Sequence, residues 1–314
     1  MATRFGFKYS YICTQESYMQ LVVFILAYPL LWLVSRLPFR IIYILSDGVY
    51  FLLYHIIGYR KKVVRENLAL VFPDMDTNER LRIEKKFYKH MCDMFLEMAK
   101  TMGINAKEME KRFTYTNIDV IHQLEKNEKR ILLMASHYAS WEWVMSLNAR
   151  ISLKGYAIYL KLGNKYFDKL VRDIRSKYGT TLIRTNESRK LIKQAVEDGE
   201  QFMLGIASDQ SPMVSRARHW APFMNIMVPV HIGGEELAKQ HNLIPVFLKV
   251  KKLKRGHYQG TFKVLTENPK EVPDYGISEM FLSETEKLIR EAPEYYFWTH
   301  KRWKHRNKVP KQFQ

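Results

Sequence analysis

Only two cysteines, Cys13 and Cys92, occur in 314 residues. One lies near the terminus and the other in a helical pattern, which excludes a disulfide framework and a thiolate metal centre and fits a reducing compartment. The zinc-protease spacing of two histidines flanking a glutamate is missing, as are the phosphate-binding and dinucleotide glycine patterns, so we expect no metal and no nucleotide cofactor. Acidic residues are scarce: 32 Asp and Glu stand against 50 Lys and Arg, a net charge of +18. Such an excess suits a polyanionic partner. Zinc-finger, basic-zipper and RNA-recognition signatures are absent too, so no nucleic acid is expected. Because the charge comes together with a long apolar segment, the expected polyanion is anionic membrane lipid.

What is present begins with that segment. Ser17 to Ser35 is 19 residues without a Lys, Arg, Asp or Glu, and as a helix it would reach about 28 Å, close to the hydrocarbon thickness of a bilayer. A signal peptide has a shorter apolar region and a small-residue cleavage site, so the stretch reads as a retained anchor. Pro29 is tolerated in a membrane helix, and Tyr18, Tyr28 and Trp32 suit an interface. Arg36, Arg40, Arg60, Lys61, Lys62 and Arg65 follow it, which by the positive-inside bias puts the body of the chain on the cytoplasmic side. A second apolar stretch, Ile41 to Tyr59, is interrupted by Asp47, Gly48 and His55. It reads as a helix lying against the membrane surface or the body rather than a second span.

Asp76-Thr77-Asn78-Glu79 resembles a capped helix start, and Phe87, Met91, Met94, Phe95, Met98 and Met102 follow at helical spacing, most simply as a core stripe, with a share in an acyl-chain groove as the alternative. From residue 113 short apolar runs alternate with helical patterns. Strands are expected at Ile131 to Ala135, Tyr156 to Leu160, Thr180 to Ile183, Phe202 to Ala207, Met227 to Val230 and Ile244 to Lys251, with His257 to Thr266 adding an antiparallel edge hairpin. The fold class is therefore α/β: a mixed, largely parallel sheet flanked by helices, with an N-terminal transmembrane or membrane-associated helix. We expect an anchor over 1–36, a helical membrane-proximal region over 37–112 and an α/β core over 113–314, with 37–314 as one globular domain.

The chemistry is expected at Ser136-His137-Tyr138-Ala139-Ser140-Trp141-Glu142-Trp143. His137 follows a strand, and Trp141 to Ile151 reads as a helix. On one continuous helix a five-residue offset would turn Glu142 roughly 140° away from His137, so the two meet only across a strand-to-helix bend. There His137 can serve as general base, with Glu142 orienting it. If the substrate brings its own hydroxyl no covalent intermediate is needed, although Ser136 and Ser140 keep a covalent route open. Asp209-Gln210 follows an apolar strand and should project from its C-terminal edge, where open α/β sheets place ligands; Asp209 there can pair with Arg175 or bind a sugar hydroxyl. Arg216, Arg218 and His219, and Lys301, Arg302, Lys304, His305 and Arg306 around Trp298 and Trp303, form basic clusters with aromatics that suit anionic headgroups or the acidic face of a protein.

Ile131 to Trp143 resembles the signature of glycerolipid-type acyltransferases, a His and an Asp or Glu separated by four residues. The form is that of the late acyltransferases of lipid A biosynthesis, the lauroyl and myristoyl transferases. Arg65-Glu66-Asn67-Leu68 with Phe72-Pro73-Asp74, Ser208-Asp209-Gln210-Ser211-Pro212, and Pro293-Glu294-Tyr295-Tyr296-Phe297-Trp298 carry the resemblance in the same order along most of the chain. Ala139-Ser140 stands where the family usually has Gly-Asn, and the Asp-Gln-Ser-Pro stretch is shortened. The resemblance implies transfer of a fatty acyl group to a hydroxyl of a lipid A-type precursor, with acyl carrier protein thioester, or acyl-CoA, as co-substrate. It implies His137 and Glu142 as catalytic residues, Arg175, Asp209, Gln210 and Asn67 as substrate-binding residues, and an inner-membrane location facing the cytoplasm. A planar guanidinium at Arg175 suits a phosphate. A lysophospholipid or aminolipid acceptor remains the alternative within the class. Outside it, the alternative is a basic membrane-surface protein without turnover.

Overall fold

The computed structural model describes residues 3–313, with side chains from residue 18 on; Cys13 lies outside the described side chains, and Cys92 is a buried free thiol. α1 (Thr3–Arg36) carries the first apolar segment and stops just before Leu37-Pro38, since a proline disfavours helical geometry in the residue before it. α2 (Phe39–Phe51) runs on into a π-helical turn at Leu52–Ile57, closed by Gly58 in the left-handed conformation. Two stretches, Tyr18–Arg36 and Phe39–Ile57, each 19 residues, are long and apolar enough to cross a bilayer. The second stretch is thus not broken at Asp47 and Gly48. Asp47 pairs with Arg255 at 2.7 Å while Ile42, Ser46 and Tyr54 are buried and Ile44, Phe51 and Ile56 stay exposed.

α3 (Lys61–Val71) and α4 (Thr77–Lys100) follow, the latter capped as expected by Asp76, whose carboxylate accepts from the Asn78 N–H at 2.8 Å. Phe87, Met91 and Met94 of the α4 stripe enter the core, but Phe95 is exposed. Lys100, at the end of α4, donates from Nζ to the carbonyls of Ser35 and Leu37, both at 2.8 Å, satisfying groups that the end of α1 leaves unpaired. A Cβ on Gly103 would lie 2.3 Å from the Ser35 carbonyl oxygen, so the glycine is what lets these two helix ends close.

After α5 (Ala106–Arg112) the order is β1 (Phe113–Tyr115), α6 (Asp119–Lys126), β2 (Ile131–Ala135), a 3-10 segment (Glu142–Ala149), β3 (Lys154–Tyr159), α7 (Lys165–Arg175), β4 (Thr181–Arg184), α8 (Ser188–Glu197) and β5 (Phe202–Ala207). Then come β6 (Trp220–Phe223), β7 (Ile226–Pro229), α9 (Gly233–His241), β8 (Ile244–Lys254), β9 (His257–Val264) and α10 (Gly276–Glu291). Seven strands form one mixed sheet in the order β1-β9-β8-β2-β5-β3-β4, in which only the β8-β9 pair is antiparallel. β2 lies in the middle, and Ile131, Leu132, Leu133 and Met134 are all buried, as the continuous apolar run of a strand covered on both faces requires.

Three expectations need correction. β9 is not the edge, because β1 pairs along its outer side. The strand near 227–230 exists, but it pairs with β6 in a separate hairpin whose turn residues, Met224 and Asn225, both have positive φ. The helix expected over Trp141 to Ile151 is a 3-10 segment. One apolar core runs from Tyr54 to Trp303 and takes in both the helical region and the sheet.

Candidate active site

β2 and β5 are parallel neighbours in register, with Ala135 opposite Ala207. Two residues past each of these lie His137 and Asp209, so the pairing brings both side chains to the same level at the C-terminal edge of the sheet. His137 Nδ1 lies 2.8 Å from Asp209 Oδ1, and the His137 backbone N–H donates to the same oxygen at 3.1 Å. Asp209 is 1% exposed, whereas the His137 side chain keeps 22% of its surface open. Burial penalises the imidazolium, but the Asp209 charge and hydrogen bond, with the Glu142 charge, outweigh it and the opposing Arg175 cation, so the imidazole sits above its ordinary range. Burial likewise pushes the Asp209 carboxyl up, and the His137 charge and hydrogen bonds hold it below the usual carboxylate range. An ionised Asp209 makes Nδ1 the protonated nitrogen and leaves Nε2 with a free lone pair.

The expected orienting bond from Glu142 to His137 is not there. Glu142 turns to Arg175, which donates from Nε at 2.9 Å and from Nη2 at 2.5 Å, and Trp141 Nε1 donates to Glu142 at 3.2 Å. The physical reason is the bidentate match of guanidinium and carboxylate, which occupies both carboxylate oxygens. Arg175 is therefore paired with Glu142 rather than with Asp209, and Glu142 acts on His137 through charge alone. Burial works against the Arg175 charge, but Glu142 holds the guanidinium above its ordinary range. Ser136 and Ser140 are buried, and neither hydroxyl is hydrogen-bonded to His137 among the described residues, which leaves the covalent route without an activated serine.

The His137 loop is clamped by the segment after α10. The Ala139 N–H donates to the Tyr295 carbonyl at 3.0 Å, the Phe297 N–H donates to the His137 carbonyl at 3.2 Å, and Tyr138 and Tyr296 form an antiparallel bridge. Ala139 has φ 51, the left-handed conformation that the Gly-Asn of the resembling family would reach without strain. Trp141 and Phe297 flank the imidazole at centroid distances of 5.3 and 6.4 Å and touch each other at 5.2 Å, giving His137 an apolar wall that limits water. Phe95 of α4 extends this wall, 6.4 Å from Phe297.

The remaining expected residues sort differently. Asn67 is buried and donates from Nδ2 to the carbonyls of Trp298 and His300 at 2.8 and 2.9 Å; its amide nitrogen fastens the C-terminal segment. Gln210 is half-buried beside Asp209 with no side-chain hydrogen bond among the described residues. Arg302, Trp298 and Trp303, expected in a surface cluster, are fully buried. Arg302 donates to the Pro229 carbonyl at 3.1 Å and accepts on its own carbonyl from Ser211 Oγ at 2.6 Å, so it supports the Asp209 loop from beneath. The Tyr296 phenol also borders Asp209, and burial followed by that charge drives it well above its ordinary range.

The family model described as bacterial lipid A biosynthesis acyltransferase matches residues 7–305. The chain is 25% identical to the lipid A biosynthesis lauroyltransferase of Escherichia coli K12 over 283 residues, 88% of this chain and 89% of that protein. It is 22% identical to the lipid A biosynthesis myristoyltransferase of the same organism over 239 residues, 74% and 71% of the two chains. Against the lipid A biosynthesis palmitoleoyltransferase of that organism the figure is 21% over 281 residues, 88% and 89% of the two chains.

Proposed function

We propose, since this chain belongs to the bacterial lipid A biosynthesis acyltransferase family, that it moves a fatty acyl group from an acyl carrier protein thioester to a hydroxyl of a lipid A-type precursor. The bond between His137 Nδ1 and Asp209 is the observation that carries the mechanism. Nε2, the free nitrogen, takes the proton of the acceptor hydroxyl as its oxygen adds to the thioester carbonyl. The tetrahedral intermediate then expels the thiolate, and the imidazolium returns the proton to the sulfur. Asp209 fixes the tautomer and stabilises the imidazolium, while the Glu142 and Arg175 pair sets the field around it. Backbone N–H groups at the start of the 3-10 segment are available to the oxyanion, where one donor in other enzymes contributes roughly 3 to 4 kcal/mol. The thioester supplies its own activation, so the reaction asks for no metal or redox group.

In this reading residues 1–36 anchor the chain in the inner membrane, residues 37–112 lie along it, and residues 113–314 present the reacting groups on the cytoplasmic side, where donor and lipid acceptor meet. Anionic lipid headgroups attract the basic surface. The test is purified protein with labelled acyl carrier protein thioester, labelled acyl-CoA and a panel of lipid A precursors, lysophospholipids and aminolipids, read by mass spectrometry. The expected product is an O-acyl ester on the lipid A precursor, made by the wild type and lost in His137→Ala. Full turnover by His137→Ala, or esters on the other lipids only, would overturn the proposal.

A further inference from the structure

A cleft of about 630 Å³ opens behind the catalytic loop, between α2, α4 and the β8-β9 hairpin. Four cations face it, Lys89, Lys252, Lys254 and Arg255, against two carboxylates, Asp47 and Asp93. Those carboxylates are already committed: Arg255 holds Asp47 and Asp93 at 2.7 Å each, and Lys252 lies 3.5 Å from Asp93. Lys89 and Lys254 are exposed and have no ion-pair partner among the described residues, although the Lys89 amine lies 5.4 Å from the Tyr50 ring centre. The cleft therefore carries two uncompensated positive charges on a floor stiffened by the Arg255 pairs.

Its rim is apolar. Phe51 and Leu253 line the cleft and are 57% and 51% exposed, and Phe51 continues into the exposed apolar face of α2 with Ile44. Free cations over such a rim suit an anion joined to hydrocarbon, because the charge can reach the lysines while the chains lie along the helix face. We propose that this cleft binds the phosphate of a lipid, with Lys89 and Lys254 as its cationic partners and Phe51 and Leu253 against the chains. The site touches the catalytic loop from behind: Tyr295 lines the cleft and accepts from the Ala139 N–H, and Lys252 is 3.2 Å from His90, whose other ring nitrogen meets the Ala139 carbonyl at 3.3 Å. It stands apart from Nε2 of His137 and does not depend on acyl transfer.

Binding is measured on the full chain in neutral detergent micelles by calorimetric titration with dihexanoyl phosphatidate. The wild type should bind it saturably, and dihexanoyl glycerol, which lacks the phosphate, should not bind. Lys89→Ala/Lys254→Ala should weaken binding roughly thirtyfold, as expected for two cations at an anionic headgroup. Lys126→Ala/Lys129→Ala, which removes the same charge from exposed positions elsewhere, should leave it unchanged. Competition by a phosphorylated lipid A precursor and by phosphatidylglycerol identifies the source: displacement by either supports the site and says which lipid fills it. Equal weakening in the two double variants, displacement by neither lipid, or inorganic phosphate binding as tightly as phosphatidate would each overturn the assignment.

Discussion

Replacing Asp209 by Asn keeps the size of the side chain and removes its charge. The amide can then donate to His137 Nδ1, which places the ring proton on Nε2 and blocks the nitrogen that must take the acceptor proton. Two losses combine. A hydrogen bond to a charged group contributes roughly 1.5 to 3 kcal/mol, and an orienting carboxylate exchanged for an amide in a hydrolase triad lowers kcat about 10⁴-fold. Asp209→Asn should therefore lower turnover by about 10³ to 10⁴. Glu142→Gln leaves the 2.8 Å bond between His137 and Asp209 in place and loses the charge opposite Arg175 together with one of the two oxygens that accept from it, so a drop of about ten- to a hundredfold is expected, mainly from one unit of charge near the imidazole. The assay is single-turnover acyl transfer from labelled thioester, with melting temperature and circular dichroism as folding controls. The pH profile adds a second reading: because Asp209 raises the His137 pKa, the rise of activity as the imidazole deprotonates should move to lower pH in Asp209→Asn. The reasoning fails if Glu142→Gln proves the more damaging variant in folded protein, or if Asp209→Asn stays within a few-fold of wild type.

Glu97 is buried, accepts from the Tyr43 and Tyr258 hydroxyls at 3.0 and 2.8 Å, and is pushed by burial up to about 7 from 4.5. Between those values the folded state keeps a proton that the unfolded state releases, so its contribution to stability falls as pH rises and is at its most unfavourable above about 7, by ~3 kcal/mol. Glu97→Gln should raise the melting temperature at about pH 8 relative to wild type and change it little near pH 4.5; a gain confined to acid pH would contradict the sign. Membrane attachment should survive high-salt washing, because salt screens the basic surface but not the apolar stretch Tyr18–Arg36. Deleting residues 1–35 should loosen attachment, and release of the full chain by salt alone would rule out the anchor.

Much of the sheet can be read from the chain. Ile131 to Ala135 and Phe202 to Ala207 are short apolar runs bounded by polar residues, and the strands have those same bounds. His137 was therefore placeable at a strand end. Its partner was not, because Glu142 lies five residues away along the chain and Asp209 lies 72 away, and nothing local says that β2 and β5 are neighbours. Once Ala135 is opposite Ala207, counting two residues past each strand finds the pair. Arg302, Trp298 and Trp303 read as a basic, aromatic surface because composition carries no sign of burial. In the fold Trp303 stacks on Phe223 and Trp298, and the chain carries Arg302 inward with them. Asn67 stands in a family motif, yet its bonds run to backbone carbonyls 231 and 233 residues away, a closure that no local pattern encodes.

The direct test of the central claim is the protonation state of the His137 ring, read by nitrogen NMR on protein with 15N-labelled histidine and assigned by loss of the signal in His137→Gln. At a pH above its titration the ring should show the neutral Nδ1–H tautomer with Nε2 bare. It should also titrate above the ordinary imidazole range, as a base held by Asp209 must. A neutral ring carrying its proton on Nε2, or one titrating below that range, would contradict the account.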